Sequence, residues 1–174
     1  IEIICIDDGS FDNTLNIINK YAKIDERIRV ISKIHNEGLA TSRNEALKLA
    51  NGKYIIFLDG DDLFSLKMLE KGYLLAESEK SDMVLWDYAT FYNNSDLQIN
   101  KKIISNLEKK IFNDKSALLR RPAFTWTKLI KMSTLRSLDI YFPKGLTRQD
   151  IPVHRSLITK IDKISILPER LSYY

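Results

Sequence analysis

Short apolar runs alternate with helical patterns along the first 92 residues, and this alternation restricts the chain to a narrow range of folds. Runs rich in β-branched residues predict strands, and apolar residues at helical spacing between them predict helices. The predicted strands are residues 1–7, 27–33, 53–59 and 82–92, and the predicted helices are residues 13–24, 38–51 and 65–80. Because strands that alternate with helices build a mostly parallel sheet with helices on its faces, we expect an α/β fold.

Residues 93–174 do not continue the regular alternation of predicted strands and helices. Residues 93–110 are polar and rich in lysine, so we predict a variable loop there. Beyond it we predict helices at residues 114–121, 125–138 and 151–160, a loop at residues 145–150 and a closing strand at residues 163–174. With 174 residues, the chain is long enough for one domain with a core and short for two.

Two of the predicted strands end in acidic clusters. The first is followed by Asp7 and Asp8, and the third by the sequence FLDGDD, which contains Asp59, Asp61 and Asp62. Ligands of open parallel sheets bind beyond the carboxyl ends of the strands, so we expect both clusters at one edge. Carboxylates this close repel each other, and their hard oxygens suit Mg²⁺ or Mn²⁺, which also bind phosphates. Either cluster alone also fits a turn with a helix cap, but the pair favours a metal and phosphate site.

A third group of residues lies at the start of the helix predicted at residues 38–51, in the sequence NEGLATSRN. Gly38 allows a tight backbone turn where free N–H groups favour an anion or a carbonyl oxygen. Arg43, one turn into the helix, would face the same crevice, although a solvated helix arginine is the more common case.

The segments IDDGSFDNT (residues 6–14) and HNEGLATSRNEALKLANGKYIIFLDGDD (residues 35–62) resemble the family 2 glycosyltransferases, which have the GT-A fold. The shared features are an acidic DDGS turn, an N-x-G-x-x-x-x-R-N-x-G/A helix and a strand that ends in D-x-D-D. Their order and spacing match together, which is more specific than any one of them. Residues 126–174 are more loosely similar to the acceptor-binding half of these enzymes. The resemblance implies a single Rossmann-like GT-A domain over residues 1–174, with a nucleotide-sugar-binding half at residues 1–92 and an acceptor-binding half at residues 111–174.

The resemblance also implies a role for each matched position of the donor side. Asp7 or Asp8 would accept a hydrogen bond from the nucleobase, and Arg43 would hold the nucleotide. Asp59 would lie near the ribose and the sugar. Asp61 would bind the Mn²⁺ or Mg²⁺ ion that bridges the two phosphates.

The acceptor-binding half contains the implied general base, Asp150. The family usually has Glu before this base, whereas Gln149 stands here. His154 lies one helical turn further and is a candidate second base or metal ligand, although a lone helix histidine is more often structural. Trp126 is a candidate for stacking on a sugar ring, with a core aromatic as the alternative. The family's first strand is absent before Ile1, so we expect the sequence to be incomplete.

The implied reaction is the inverting transfer of a hexose from a nucleotide-diphosphate donor, expected to be a UDP-sugar, to an acceptor hydroxyl. The acceptor would be a glycan or glycolipid in bacterial surface polysaccharide or lipooligosaccharide synthesis. A net charge of +4 is too small to indicate nucleic-acid binding, and a single cysteine excludes a disulfide framework. Because no apolar run reaches the length of a membrane span, we expect a cytoplasmic protein. Peripheral association with the inner face of the membrane is compatible with this expectation.

Two other classes of protein share part of the pattern. FLDGDDLF resembles the D-x-D strand end of Mg²⁺-dependent haloacid-dehalogenase-type phosphatases, but Leu63 stands where that motif has Thr or Val. IDDGS also fits a non-catalytic nucleotide-binding or receiver-type domain with an acidic pocket. That interpretation would leave Arg43 and Asp150 unexplained, and both classes stay open as alternatives.

Overall fold

The computed structural model of the protein describes residues 1–90 and 115–174, and the variable loop predicted at residues 93–110 lies outside them. In the described residues the strands are β1 (Ile3–Asp7), β2 (Ile28–Ser32), β3 (Tyr54–Ile55), β4 (Leu63–Phe64), β5 (Met83–Ala89), β6 (Lys128–Lys131) and β7 (Ile164–Tyr173). The α-helices are α1 (Thr14–Ala22), α2 (Leu39–Leu49), α3 (Met68–Glu79), α4 (Ser116–Leu119), α5 (Met132–Ser137) and α6 (Asp150–Lys160). None of these helices combines the length and the hydropathy that crossing a membrane requires.

The chain forms two compact units. The first unit contains Ile1–Lys53 and Tyr141–Pro152, and the second contains Tyr54–Ile140 and Val153–Tyr174. The segment Tyr141–Pro152 comes from the predicted acceptor half, yet it belongs to the same unit as the beginning of the chain. The prediction of one domain with halves at residues 1–92 and 111–174 stays a prediction.

The first unit is built on a parallel pair of strands. β1 and β2 align from Ile3 opposite Ile28 to Asp7 opposite Ser32. Helix α1 supplies the crossover that parallel neighbours require, as the apolar spacing predicted. Both strands therefore end at the same edge. The residue after each strand contacts the other there, because Asp8 forms an ion pair with Lys33.

The second unit contains a mixed five-stranded sheet in the order β3-β6-β5-β7-β4. β5 and β7 are parallel, whereas the pairs β3–β6, β5–β6 and β4–β7 are antiparallel. Apolar side chains of α3 pack on this sheet in a buried core. The core consists of Met68, Leu75, Ala76, Val84, Trp86, Leu129, Leu167 and Leu171.

The strand predicted at residues 53–59 is wrong in its length. Regular pairing is confined to β3, where Tyr54 lies opposite Lys131 and Ile55 opposite Ile130. The apolar residues that follow are buried by packing instead, since Ile56 contacts the core of the second unit and Phe57 is also buried. An apolar run predicts that its residues are buried, but it does not indicate whether another strand lies beside them to pair with.

The helix predicted at residues 125–138 is also partly wrong. Its first part is a 3-10 turn at Thr125–Thr127 followed by β6, and only α5 is α-helical. Leu129 and Ile130 are buried in β6, which lies between β3 and β5 in the sheet. A short apolar run fits a helix or a strand equally well, so long-range pairing decides its structure.

Candidate active site

Asp7 and Asp8 lie at the carboxyl end of β1 in different surroundings. Asp7 is only 3% exposed, and its Oδ1 has no hydrogen-bond partner in the part of the chain that the structure describes. Asp8 accepts hydrogen bonds from the backbone N–H groups of Glu37 (3.2 Å) and Gly38 (2.8 Å). Burial acts to raise the pKa of Asp8, but the hydrogen bonds from Lys33 and from these two N–H groups outweigh it and lower the pKa. Asp7 thus retains an acceptor oxygen for a ligand, while Asp8 orders the approach to α2.

Lys33 lies near the site but belongs to none of the sequence motifs, so its position there was not predicted. Its side chain is 8% exposed, and Nζ lies 3.0 Å from Oδ1 of Asp8. Two glutamates also approach Nζ, Glu37 at 3.3 Å and Glu45 at 3.6 Å. Nζ donates a further hydrogen bond to Oγ of Ser42 at 2.9 Å. One buried ammonium group therefore joins the end of β1 to the start of α2.

Arg43 is buried, so the alternative of a solvated helix arginine is wrong. The residue is 7% exposed, and its guanidinium carbon lies 5.3 Å from the ring centroid of Phe142, within cation–π distance. The next residue, Asn44, donates from Nδ2 to the carbonyl of Phe142 at 2.8 Å and accepts from its N–H at 2.7 Å. These contacts attach the segment Tyr141–Pro152 to α2. Asn44 belongs to the matched NEGLATSRN motif, but its partner is 98 residues away and no sequence pattern indicates it.

Asp150 is half-buried and begins α6. The segment before it contains two left-handed residues, Gly145 at φ 75° and Arg148 at φ 59°. A non-glycine residue rarely adopts this conformation, and such strain concentrates in functional segments. Gln149, which stands in place of the family's usual Glu, is buried. Asp150 thus lies two residues after the strained Arg148, at the junction between loop and helix.

The acidic turn of FLDGDD lies between β3 and β4. β4 pairs with the last residues of β7, Leu63 opposite Tyr173, so the turn lies beside the carboxyl end of β7. Asp61 is exposed, whereas Asp59 and Asp62 are half-buried. Burial, followed by the charges of Asp59 and Asp61, raises the pKa of Asp62 to about 6. The turn therefore concentrates negative charge that a cation would neutralise.

The donor atoms of this turn fit a hard divalent cation such as Mn²⁺ or Mg²⁺. Among the described residues, however, no group of three or more metal-ligating side chains is already assembled. Sites of this kind often use one or two carboxylates and take their other ligands from substrate phosphates and water. The residues present therefore suit a cation that binds together with a diphosphate.

Trp126 is a core aromatic, the alternative given for it above. It is 3% exposed and stacks on Phe124 with ring centroids 4.7 Å apart. Tyr174 stacks on the same two rings at 5.9 and 6.0 Å, and Tyr88 meets them edge to face. Within this stack it is Tyr174, at 60% exposure, that presents a ring to the surface.

His154 is buried in the second unit. It is 3% exposed, and its Nε2 lies 3.0 Å from the carbonyl oxygen of Leu118, so Nε2–H is the donor. Burial, followed by the charge of Lys128, lowers the pKa of His154 to about 4. The other ring nitrogen, Nδ1, is buried and has no hydrogen-bond partner among the described residues, and the low pKa makes His154 a weak base.

The family model described as glycosyl transferase family 2 matches residues 1–142. The chain belongs to this family. The match contains the predicted donor-side residues, namely Asp7, Asp8, Arg43, Asp59 and Asp61, while Asp150 lies beyond its end.

Relatives and solved structures extend the likeness to almost the whole chain. The cholesterol galactosyltransferase of Borreliella burgdorferi is 42% identical over an alignment of 182 residues. The alignment covers 95% of this chain and 49% of the relative. The poly(ribitol-phosphate) beta-glucosyltransferase of Bacillus spizizenii is 30% identical over 175 residues, which cover 99% of this chain and 27% of the relative. The crystal structure of S. aureus TarS 1-349 in complex with UDP-GlcNAc matches with a TM-score of 0.81 at 26% identity, covering 99% of this chain and 49% of that one. This match confirms the predicted GT-A fold, and the chain spans half or less of the length of these three proteins.

Proposed function

We propose that the protein is an inverting glycosyltransferase that moves a sugar from a UDP-sugar to an acceptor hydroxyl. The observation that supports this most directly is the buried Asp7, whose Oδ1 has no partner within the described residues. A buried acceptor without a partner is uncommon, and a ligand donor such as the N–H of a nucleobase would satisfy it. Membership of the family and the likeness to a UDP-GlcNAc complex support a uridine donor.

On the donor side we assign the contacts as follows. Asp7 and Asp8 bind the nucleobase, with Asp8 also ordering the Glu37–Gly38 backbone. Arg43 holds the nucleotide, and its contact with Phe142 fixes the guanidinium plane. Asp59 faces the ribose and the sugar. Each of these side chains orients the donor, and orientation alone can lower a barrier by several kcal/mol.

Asp150 is the proposed general base. It removes the proton of the acceptor hydroxyl as that oxygen attacks the anomeric carbon from the face opposite the diphosphate. The bond from the anomeric carbon to the phosphate oxygen breaks, and its electron pair leaves with the nucleoside diphosphate. The configuration at the anomeric carbon is therefore inverted.

Asp61 is the proposed ligand of a divalent cation, Mn²⁺ or Mg²⁺, with phosphate oxygens completing the coordination. When bound, the cation would stabilise the negative charge that develops on the departing diphosphate. Burial, followed by the charges of Asp59 and Asp61, raises the pKa of Asp62, and the charge part supports this assignment because neighbouring carboxylates tolerate each other better beside a cation.

We further propose a glycan or glycolipid acceptor and a role in bacterial surface polysaccharide synthesis. Relatives named for poly(ribitol phosphate) and for cholesterol support acceptors that are polymers or lipids. Such acceptors favour a protein that works at the inner face of the cell membrane. Family membership favours this function over the phosphatase and receiver-type alternatives.

The test is release of UDP from UDP-glucose, UDP-galactose and UDP-GlcNAc, with Asp150→Asn and Asp162→Asn as matched variants. Asp162 is an exposed aspartate, so its variant makes the same charge change outside the proposed site. We expect Asp150→Asn to lower the rate at saturating donor about 100-fold or more, as loss of a general base does, with UDP affinity unchanged. Full turnover by Asp150→Asn would refute its role. Formation of an acyl phosphate on incubation with acetyl phosphate would instead support one of the alternatives.

A further inference from the structure

The ammonium group of Lys33 has an unusual environment for a lysine of the first unit. It is almost completely buried, yet its described ion-pair partners are three carboxylates, those of Asp8, Glu37 and Glu45. Buried charges need compensating partners, and a cation shared by several carboxylates satisfies both signs at once. Lys33 is therefore the positive centre that allows these acidic residues to converge.

The carboxylate of Asp8 shows what this centre orders. It accepts from Lys33 and from the N–H groups of Glu37 and Gly38. A carboxylate has about four lone-pair sites, so roughly one is left for a ligand. The direction of that remaining site depends on the other three contacts, and of these three the contact with Lys33 is the charged one.

The turn after Asp8 is packed against the same loop. Gly9 has φ +79°, and a Cβ at this position would lie 2.8 Å from the carbonyl carbon of His35. The turn that ends β1 and the loop from Lys33 to Gly38 are thus in direct backbone contact. A change in the Lys33 cluster will therefore affect the proposed nucleobase site and the start of α2, four residues before Arg43.

We propose that Lys33 is a positioning residue for the donor. By holding Asp8 and the first turn of α2 in place, it sets the orientation of the groups that bind the nucleoside diphosphate. This inference rests on the proposed function. It predicts an effect on donor binding that is separate from the chemical step performed with Asp150.

The test compares Lys33→Met and Lys33→Arg with Lys48→Met, which removes an exposed lysine of α2. Calorimetric titration with UDP and steady-state kinetics with a UDP-sugar are measured on each variant. We expect Lys33→Met to weaken UDP binding and raise the donor KM about tenfold, equivalent to about 1.4 kcal/mol, with kcat nearly unchanged. Lys33→Arg keeps the charge and should retain most of the affinity, and Lys48→Met should behave as wild type.

If Lys33→Met does not fold, the double variant Lys33→Met with Glu45→Gln takes its place. This variant has one carboxylate fewer to repel Asp8 and Glu37, and it still lacks the contact between residue 33 and Asp8. A folded single or double variant that binds UDP as wild type does would overturn the proposal. Amide hydrogen exchange separates this result from failure of the proposed function. Absence of UDP binding by wild type would count against the proposed function, whereas unchanged exchange at the Gly38 N–H in Lys33→Met would contradict the positioning role of Lys33 itself.

Discussion

His154 makes the stability of the protein depend on pH in a predictable direction. The folded state keeps the imidazole neutral, because burial and the charge of Lys128 lower its pKa from 6.5 to about 4. In the unfolded chain the same group takes up a proton below about pH 6.5. The unfolded state therefore binds more protons between these values, and the free energy of unfolding falls as the pH decreases through this window.

The magnitude follows from the size of the shift. One pKa unit corresponds to about 1.36 kcal/mol, so a decrease from 6.5 to about 4 amounts to about 3 kcal/mol lost between pH 6.5 and pH 4. The stabilising effect of a neutral histidine is complete above about pH 6.5. Acid-sensitive carboxylates such as Asp8 also contribute at the lower end, so a difference between variants is needed to isolate His154.

The assay is urea denaturation followed by circular dichroism at pH values from 7 to 4. The chain contains two histidines, and the other one, His35, is exposed and provides a matched control. Between pH 6.5 and pH 4, we expect the free energy of unfolding to decrease by about 3 kcal/mol less in His154→Gln than in wild type. In His35→Gln we expect the same decrease as in wild type. The slope is the readout, because His154→Gln also removes the hydrogen bond to Leu118. If His154→Gln loses stability with acid as steeply as wild type, His154 is not the source of this pH dependence.

Two further predictions concern stability in the first unit. Gly9→Ala should destabilise the fold by about 1 to 3 kcal/mol, because the left-handed backbone is strained by a Cβ that also meets the loop after β2. Gly60→Ala is its control, since a Cβ there has open space; equal stability of the two variants would contradict the packing argument. Asn44→Ala removes both hydrogen bonds to the buried Phe142 and should cost about 2 kcal/mol in urea denaturation, with faster amide exchange at Phe142. The exposed Asn19→Ala should change neither, and an unchanged Phe142 amide in Asn44→Ala would exclude the proposed attachment.

Sequence patterns predicted the helices and strands that have a clear local hydrophobic periodicity. Alternation of β-branched runs and amphipathic segments gave β1, α1, β2 and α2 close to their observed bounds, and the long apolar run at the end of the chain became β7. The failures are at residues 53–59 and 125–138, where a short apolar run had to be assigned to a strand or a helix. Pairing of β6 with β3 and β5 decided both cases, and pairing between distant segments leaves no local signal.

The candidate site shows the same division. Motif spacing predicts roles for Asp7, Asp8 and Arg43, which stay predictions, and the structure shows that Asp7 and Arg43 are buried. Lys33 and Asn44 could not be predicted, because only their tertiary contacts distinguish them from other lysines and asparagines. Lys33 acts through carboxylates on three different segments, and Asn44 through a backbone 98 residues away. Such contacts appear only when the chain is folded.

We propose that the acidic residues bind a nucleoside diphosphate together with a divalent cation. The test is calorimetric titration of UDP, with and without Mn²⁺, into wild type, Asp61→Ala and the control Asp162→Ala. We predict binding that Mn²⁺ strengthens in wild type and in Asp162→Ala, and a loss of that strengthening in Asp61→Ala. UDP binding that is the same in all three proteins and indifferent to Mn²⁺ would contradict the claim.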